Sequence, residues 1–428
     1  MDAELSLSIM LSVLLFVNGV LYRVYLQSYI NPVTIVSFFW FFFLSFPVIV
    51  YPGGYVSASA VFFIVSVIIV FSIPFYFISG KKPNIIDVFS SKFILRLYFI
   101  LFFLFILSVF CFFIHLSNNG YTLFSWIRDP LSVTGGLVSA KYKGEIAYSL
   151  FSRLSVILMY PVGFFSGIVS PNLNRGKWRV LVFCFTTPLL YFLIFGDKGA
   201  LLLVAFLFYS GWLISKSAFG NRTLLDRKNF LAILFLAVAL FILLILAFRS
   251  RASGLSFDEF LSFFHRNMIS YSSGHLFAFS SWYDSYFWQE PTGPFDNRSL
   301  PFGYYTFAAV YDLFGWDRLF PHGGVYDDFY SDGFFKTNIY TVFRGFLLDF
   351  GIFATYVFSL CAGFVSALLF RVVRYNGKFF VFGLMGWYSL FVFLYSSYII
   401  SSFIWLSTSF SIILVGFLYL LGRLRFNK

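Results

Sequence analysis

Charged side chains are scarce in this chain: Asp, Glu, Lys and Arg together make up 11% of its 428 residues. A soluble domain carries about 25%, so too little polar surface is present to coat a water-soluble globule. Cysteine is scarcer still. Cys111, Cys184 and Cys361 each lie inside or at the end of an apolar run, with no Cys-x-x-Cys spacing and no neighbouring His. Neither a disulfide framework nor a metal site is therefore expected, and the three read as small core residues. Several catalytic signatures are missing too. No Gly-x-x-x-x-Gly-Lys-Ser/Thr phosphate loop occurs, and no Gly-x-Gly-x-x-Gly opens a helix after a strand. His-Glu-x-x-His and Gly-x-Ser-x-Gly are absent as well. ATP-driven work, nicotinamide chemistry and zinc hydrolysis are not expected, and neither a cofactor nor a metal is implied.

What is present is hydrophobic: 60% of residues are apolar and the mean hydropathy is +0.85. Apolar runs of about 17–25 residues recur, the length that carries a helix across a hydrocarbon core. The pattern predicts an all-α integral membrane protein, a polytopic bundle of about eleven transmembrane helices. Spans are expected near 5–21, 32–51, 56–79, 94–116, 146–169, 180–196, 199–215, 230–248, 339–370, 379–394 and 403–421. The first run lacks a basic leader segment and is expected to remain a span. The run at 339–370 exceeds one crossing, so its first turns should emerge from the bilayer. Pro47, Pro74 and Pro188 fall within spans, where neighbouring helices tolerate them. Phe, at 67 residues, reads chiefly as a substitute for Leu against lipid.

Orientation follows from the basic residues. The connections after spans 1, 3, 5, 7, 9 and 11 hold 18 Lys and Arg against two acidic residues, Asp87 and Asp226; the rest of the chain holds 12 basic and 16 acidic. Lys and Arg stay cytoplasmic during insertion. The amino terminus is thus expected outside and the carboxyl terminus inside, and the net charge of +12 reports topology and anionic lipid, not nucleic acid. Residues 1–248 then carry helices one to eight with a smaller outer loop at 117–145. Residues 249–338 form a large outer loop, and 339–428 carry helices nine to eleven. Long structured loops usually carry function. Within the larger one, 269–289 mixes aromatics with Ser, His and Asp and reads as a short interfacial helix lying on the membrane.

Several charges occupy costly places. Asp197 and Lys198 sit in a tight turn, FGDKGAL, as a local ion pair or as part of a site. Arg153 lies within the expected fifth span, either snorkelling to the interface or contacting substrate. Arg249, Arg251 and Arg344 stand on the outer side against the positive-inside rule. They either pair with loop acids such as Asp258, Glu259 or Asp349, or bind an anion. Guanidinium matches phosphate oxygens bidentately, so a lipid-linked phosphate or pyrophosphate is the ligand that would suit them. His265, His275, His322, Glu290, Asp327, Asp328 and Asp332 supply candidate bases in the same loop, each equally readable as a solvated residue. His275 ranks first and Asp328 second, since both approach the arginines.

The runs FGYYTFAAVYDLFG (302–315) and TNIYTVFRGFLLDFG (337–351) resemble the Wzy-type O-antigen polymerases, which join oligosaccharide repeat units. Matching positions include Gly303, Thr306, Phe307, Asn338, Tyr340, Thr341, Arg344, Asp349 and Gly351. The GDKG turn is similar to a small-residue-plus-basic turn of that family, with Lys198 where Arg is usual. The resemblance implies glycosyl transfer at the periplasmic face of a bacterial inner membrane, with the large loop periplasmic. A glycan on undecaprenyl pyrophosphate would be the donor and a hydroxyl of a second lipid-linked repeat unit the acceptor. It implies pyrophosphate binding by Arg249, Arg251 and Arg344 and substrate contacts from Arg153, Lys198, Asn338 and Tyr340. A chain-length regulator protein would be a partner, and Trp282, Tyr283, Trp288 and Trp316 are stacking or anchoring residues. Two rivals stand beside it. An O-antigen ligase would use the same donor. A transporter or flippase of lipid-linked oligosaccharide would show internal symmetry between halves, and no second copy of the long loop occurs.

Overall fold

A computed structural model describes residues 3–77, 91–173, 175–218, 255–288 and 329–375, together with 241, 245, 248, 249, 303, 407, 410, 411, 413, 414 and 417. Eight of the described helices are long and apolar enough to cross a bilayer: Glu4–Tyr25, Pro32–Val50, Ala58–Phe77, Phe93–Asn118, Leu150–Asn172, Lys177–Phe195, Gly199–Lys216 and Val342–Arg371. They correspond to the expected spans 1 to 7 and 9. The expected spans near 230–248, 379–394 and 403–421 lie almost wholly outside the described residues. The chain is an all-α, multi-pass membrane protein.

It divides into two compact units. The first takes residues 1–83, 261–375 and 389–402. Its opening helices are α1 (Ala3–Tyr25), α2 (Pro32–Val50) and α3 (Ala58–Ser72, extended by a 3-10 turn, Ile73–Phe77). Each start has a local cause. Asn31 caps α2 by accepting from the Thr34 amide at 2.8 Å, with Pro32 filling the first position where no donor is needed. Ser57 caps α3 in the same way. Polar side chains then tie the helices together inside the apolar medium. Asn18 donates to Ser37 Oγ at 2.9 Å and Ser72 Oγ at 3.0 Å, linking all three.

Three further helices complete this unit: α10 (Phe257–Ser272, from Leu261 on), α11 (Gly274–Trp288) and α12 (Val342–Tyr375), with a hairpin of β1 (Tyr330–Ser331) and β2 (Lys336–Thr337) between the last two. α12 packs on α3. An ideal Cβ on Gly363 would lie 2.2 Å from Phe71 O, and Ser359 Oγ donates to Val67 O at 2.7 Å. α12 is broken at Gly351, with φ 68° and ψ −177°, a region open essentially to glycine alone. Thr355 Oγ1 donates to Gly351 O at 2.6 Å and Phe346 O at 3.1 Å across the break. The short segment before the break carries Arg344, and the longer one after it suffices for a crossing, which accounts for a run too long for one span.

The expected interfacial helix at 269–289 is corrected. α11 has fifteen residues, too few to span, yet residues 274–280 are all buried. Phe277 packs on Tyr51 and Phe335, and Tyr283 on Phe63. The first half of α11 is thus an interior segment of the unit, while Tyr283, Tyr286 and Phe287 are half-buried.

The second unit takes residues 84–260, 376–388 and 403–428. It holds α4 (Ser91–Asn118), α5 (Leu123–Arg128), α6 (Pro130–Lys143), α7 (Leu150–Val169), α8 (Lys177–Phe195) and α9 (Lys198–Ala218). α7 is its centre, packed by α4, α8 and α9. Gly163 and Gly167 form a G-x-x-x-G stripe that meets Gly211 of α9; a Cβ on Gly167 would lie 2.0 Å from Phe208 O. Backbone-to-backbone approach of this kind maximises dispersion where lipid offers no hydrophobic drive. Of the cysteines, Cys111 and Cys184 are buried as expected, whereas Cys361 is exposed on α12.

Candidate functional site

The first unit has two chemically unlike ends. One carries Arg23, at the last turn of α1, and Arg371, near the end of α12. The other gathers Glu4, the α2–α3 connection, α11 and the hairpin, with Asp284 and Asp332. Lys336 of the hairpin and Arg344 beyond it stand at the same end.

The hairpin is set by its turn. Asp332 Oδ1 accepts the amides of Phe334 (2.9 Å) and Phe335 (3.1 Å), and Gly333 takes φ 89°. Phe335 is thereby turned inward against Tyr51 and Phe277. β2 runs on through Thr337, against which Gly274 packs so closely that a Cβ there would lie 2.8 Å from Thr337 Cγ2. Ser270 Oγ donates to Lys336 O at 2.8 Å. These contacts seat the α10–α11 junction and carry the chain to the start of α12.

Arg344 then enters the interior. It is fully buried, and its guanidinium lies 4.1 Å from the Tyr340 ring and 4.8 Å from the Trp282 ring. Both ring faces lie within reach to hold the desolvated cation by their quadrupoles. Tyr340 is buried and Asn338 half-buried in the segment leading to it. Asp349, also buried, follows on the same helix. Of the residues expected to stack on sugars, Trp282 is thus engaged with Arg344, and Tyr283 packs at a tilt on Phe63 inside the unit.

His275 is buried at the start of α11. Its Nε2 lies 3.1 Å from Phe43 O, and its ring lies tilted against that of Phe43, centroids 4.6 Å apart. A carbonyl oxygen only accepts, so Nε2 carries the proton and Nδ1 is the basic nitrogen. Burial drives the imidazole pKa down to about 4, against a smaller upward pull from the Phe43 carbonyl. At neutral pH this is an uncharged, weak base. The other catalytic candidate, Asp328, and Arg251, Asp327 and His322 lie outside the described residues.

In the second unit, Arg249 is exposed; its Nη1 donates to Leu255 O at 3.2 Å and its guanidinium lies 5.2 Å from the Phe260 ring. Arg153 is corrected. It occupies the first turn of α7, just after a capping box between Ser149 and Ser152, and is exposed, so it marks the end of the span and not its interior. Asp197 pairs with Lys141 of α6 at 3.8 Å, and its Oδ1 lies 3.4 Å from the Ala200 amide. The turn at 196–198 is therefore tied to the 117–145 segment, which folds as α5 and α6. Lys198 opens α9.

Asp284 was not singled out by sequence reasoning. The signal was available: it is the one acidic residue in GHLFAFSSWYDSYFW. In the structure its carboxylate receives hydroxyls from Tyr55, Ser57 and Ser59. Compared with models of known families, with curated proteins and with solved structures, the chain matches none.

Proposed function

We propose that this protein is a membrane glycosyltransferase that polymerises oligosaccharide repeat units carried on undecaprenyl pyrophosphate, at the periplasmic face of a bacterial inner membrane. The observation that carries the reading is Arg344, a fully buried guanidinium lying against the rings of Tyr340 and Trp282. An arginine with its hydration removed is suited to the fork of a pyrophosphate. In the proposed step a sugar hydroxyl of one lipid-linked unit attacks the anomeric carbon of another. The bond from that carbon to the pyrophosphate oxygen breaks, and undecaprenyl pyrophosphate leaves with the electron pair. Arg344 neutralises the departing charge, and Asn338 and Tyr340 are the further substrate contacts of this reading. The attacking hydroxyl must lose its proton. His275 offers only Nδ1, with its basicity lowered by burial, and Asp328 is the other candidate acceptor.

The test is purified protein in nanodiscs supplied with a defined undecaprenyl-pyrophosphate-linked repeat unit and no nucleotide. A ladder of longer glycans is expected on a gel. Arg344→Lys should retain a small part of the activity, because ammonium is a point charge without the fork, and Arg344→Ala should retain none. Transfer of the glycan to a lipid A-core acceptor without elongation would replace this reading by ligation. Passage of the lipid-linked unit across the bilayer without elongation would replace it by transport.

A further inference from the structure

We propose that the Asp284 carboxylate is a saccharide subsite, which takes two adjacent hydroxyls of a sugar ring in place of two hydroxyls of the protein. The proposal deepens the glycan-handling reading above and rests on it.

Asp284 lies on α11, facing the start of α3. Its Oδ2 accepts the Tyr55 hydroxyl at 2.5 Å. Its Oδ1 accepts Ser57 Oγ at 2.8 Å and Ser59 Oγ at 3.1 Å. The three donors are not equivalent. Ser57 is buried, belongs to the cap of α3 and also lies 2.7 Å from Ser59 Oγ, so it orients the carboxylate from below. Tyr55 is 49% exposed and Ser59 is exposed, so they donate from the rim. One rim hydroxyl serves each oxygen, and a pair of neighbouring ring hydroxyls presents the same two donors.

Replacing one hydroxyl donor by another leaves the carboxylate's hydrogen-bond count unchanged, so the ligand need not desolvate a bare charge. Tyr55 is held as a donor throughout the physiological range. Its hydrogen bond to Asp284, with burial and the nearby negative charges behind it, pushes its pKa up to about 12. Its exposed ring is also an apolar face on which the C–H side of a pyranose can lie. Trp282, two residues earlier on α11, is the ring that covers Arg344, so one helix carries both the subsite and part of the arginine's cage.

The probe is the oligosaccharide released by mild acid from the native strain's lipid-linked repeat units, titrated into the full chain in nanodiscs. Wild type should bind. Asp284→Asn should weaken binding about ten- to hundredfold, the range for losing charge-assisted hydrogen bonds. Tyr55→Phe removes a competing donor and keeps the carboxylate, so it should leave affinity equal or higher. A carboxylate that only tethers α11 to α3 predicts otherwise: the affinities of the two variants would move together or not at all. That outcome, or no binding by wild type, overturns the proposal. Should Asp284→Asn fail to fold, weakened binding by Tyr55→Phe overturns it alone, and retained binding supports it. If wild type binds the oligosaccharide yet elongates nothing, the polymerase reading fails and the subsite stands. If it elongates while Asp284→Asn binds as wild type does, the subsite fails and the polymerase reading stands.

Discussion

His275 makes a measurable claim about acid stability. An exposed histidine titrates near about 6.5, whereas burial holds this one down to about 4. The unfolded chain therefore takes up the proton first as pH falls. The stabilisation is complete above about pH 6.5 and is lost progressively towards pH 4. At about 1.4 kcal/mol for each pH unit of that gap, the loss is on the order of 3 kcal/mol. That is a large fraction of a typical folding free energy of about 5–15 kcal/mol. His275→Gln keeps a donor for Phe43 O and does not titrate. Thermal unfolding in nanodiscs, followed by tryptophan fluorescence from pH 7.5 to 4.5, should show wild type falling more steeply than the variant. The difference removes the carboxylates that titrate in both. Elongation by wild type should also show no inflection between pH 6 and 7.5 from this residue. Parallel stability curves for the two proteins would mean that the imidazole is not held neutral inside the unit, and the argument against His275 as base would go with it.

Much of this architecture was legible in the sequence, because a span is a sum over about twenty residues and tolerates local error. Seven runs before residue 218, and the overlong run ending near 370, appear as helices close to the expected bounds. What failed was local or long-range. Arg153 was placed too deep because the span was started early; the Ser149–Ser152 capping box marks the true start. The Lys141–Asp197 pair joins residues far apart in the chain, which no local pattern announces. α11 was assigned to the interface because an aromatic, Ser-containing run of fifteen residues looks alike on a membrane surface and among other helices. The G-x-x-x-G of 163–167 was readable and went unread. For the site, Arg344 stood out by the cost of its position, while its burial and its two aromatic neighbours, one from a distant helix, became visible only with the fold.

Two more expectations follow from charge and packing. With the native cysteines replaced by Ser, Gly53→Cys should react with a membrane-impermeant thiol reagent in intact spheroplasts and Arg175→Cys should not; equal labelling would overturn the orientation taken from the basic loops. The last contrasts one chemical change at two helical glycines. At Gly135 in α6 a Cβ meets nothing within 4 Å, so Gly135→Ala adds only helix propensity and should stabilise by about 1 kcal/mol. At Gly167 in α7 the same Cβ would lie 2.0 Å from Phe208 O and 2.8 Å from Trp212 N, both backbone atoms of α9. Neither can swing aside as a side-chain tip would, so the two helices must part along the stripe that includes Gly211. Overpacking of this kind costs about 1–3 kcal/mol, which exceeds the propensity gain. Gly167→Ala should therefore lower the unfolding temperature where Gly135→Ala raises it, and a shift of the same sign at both positions would show that α7 and α9 do not meet backbone to backbone.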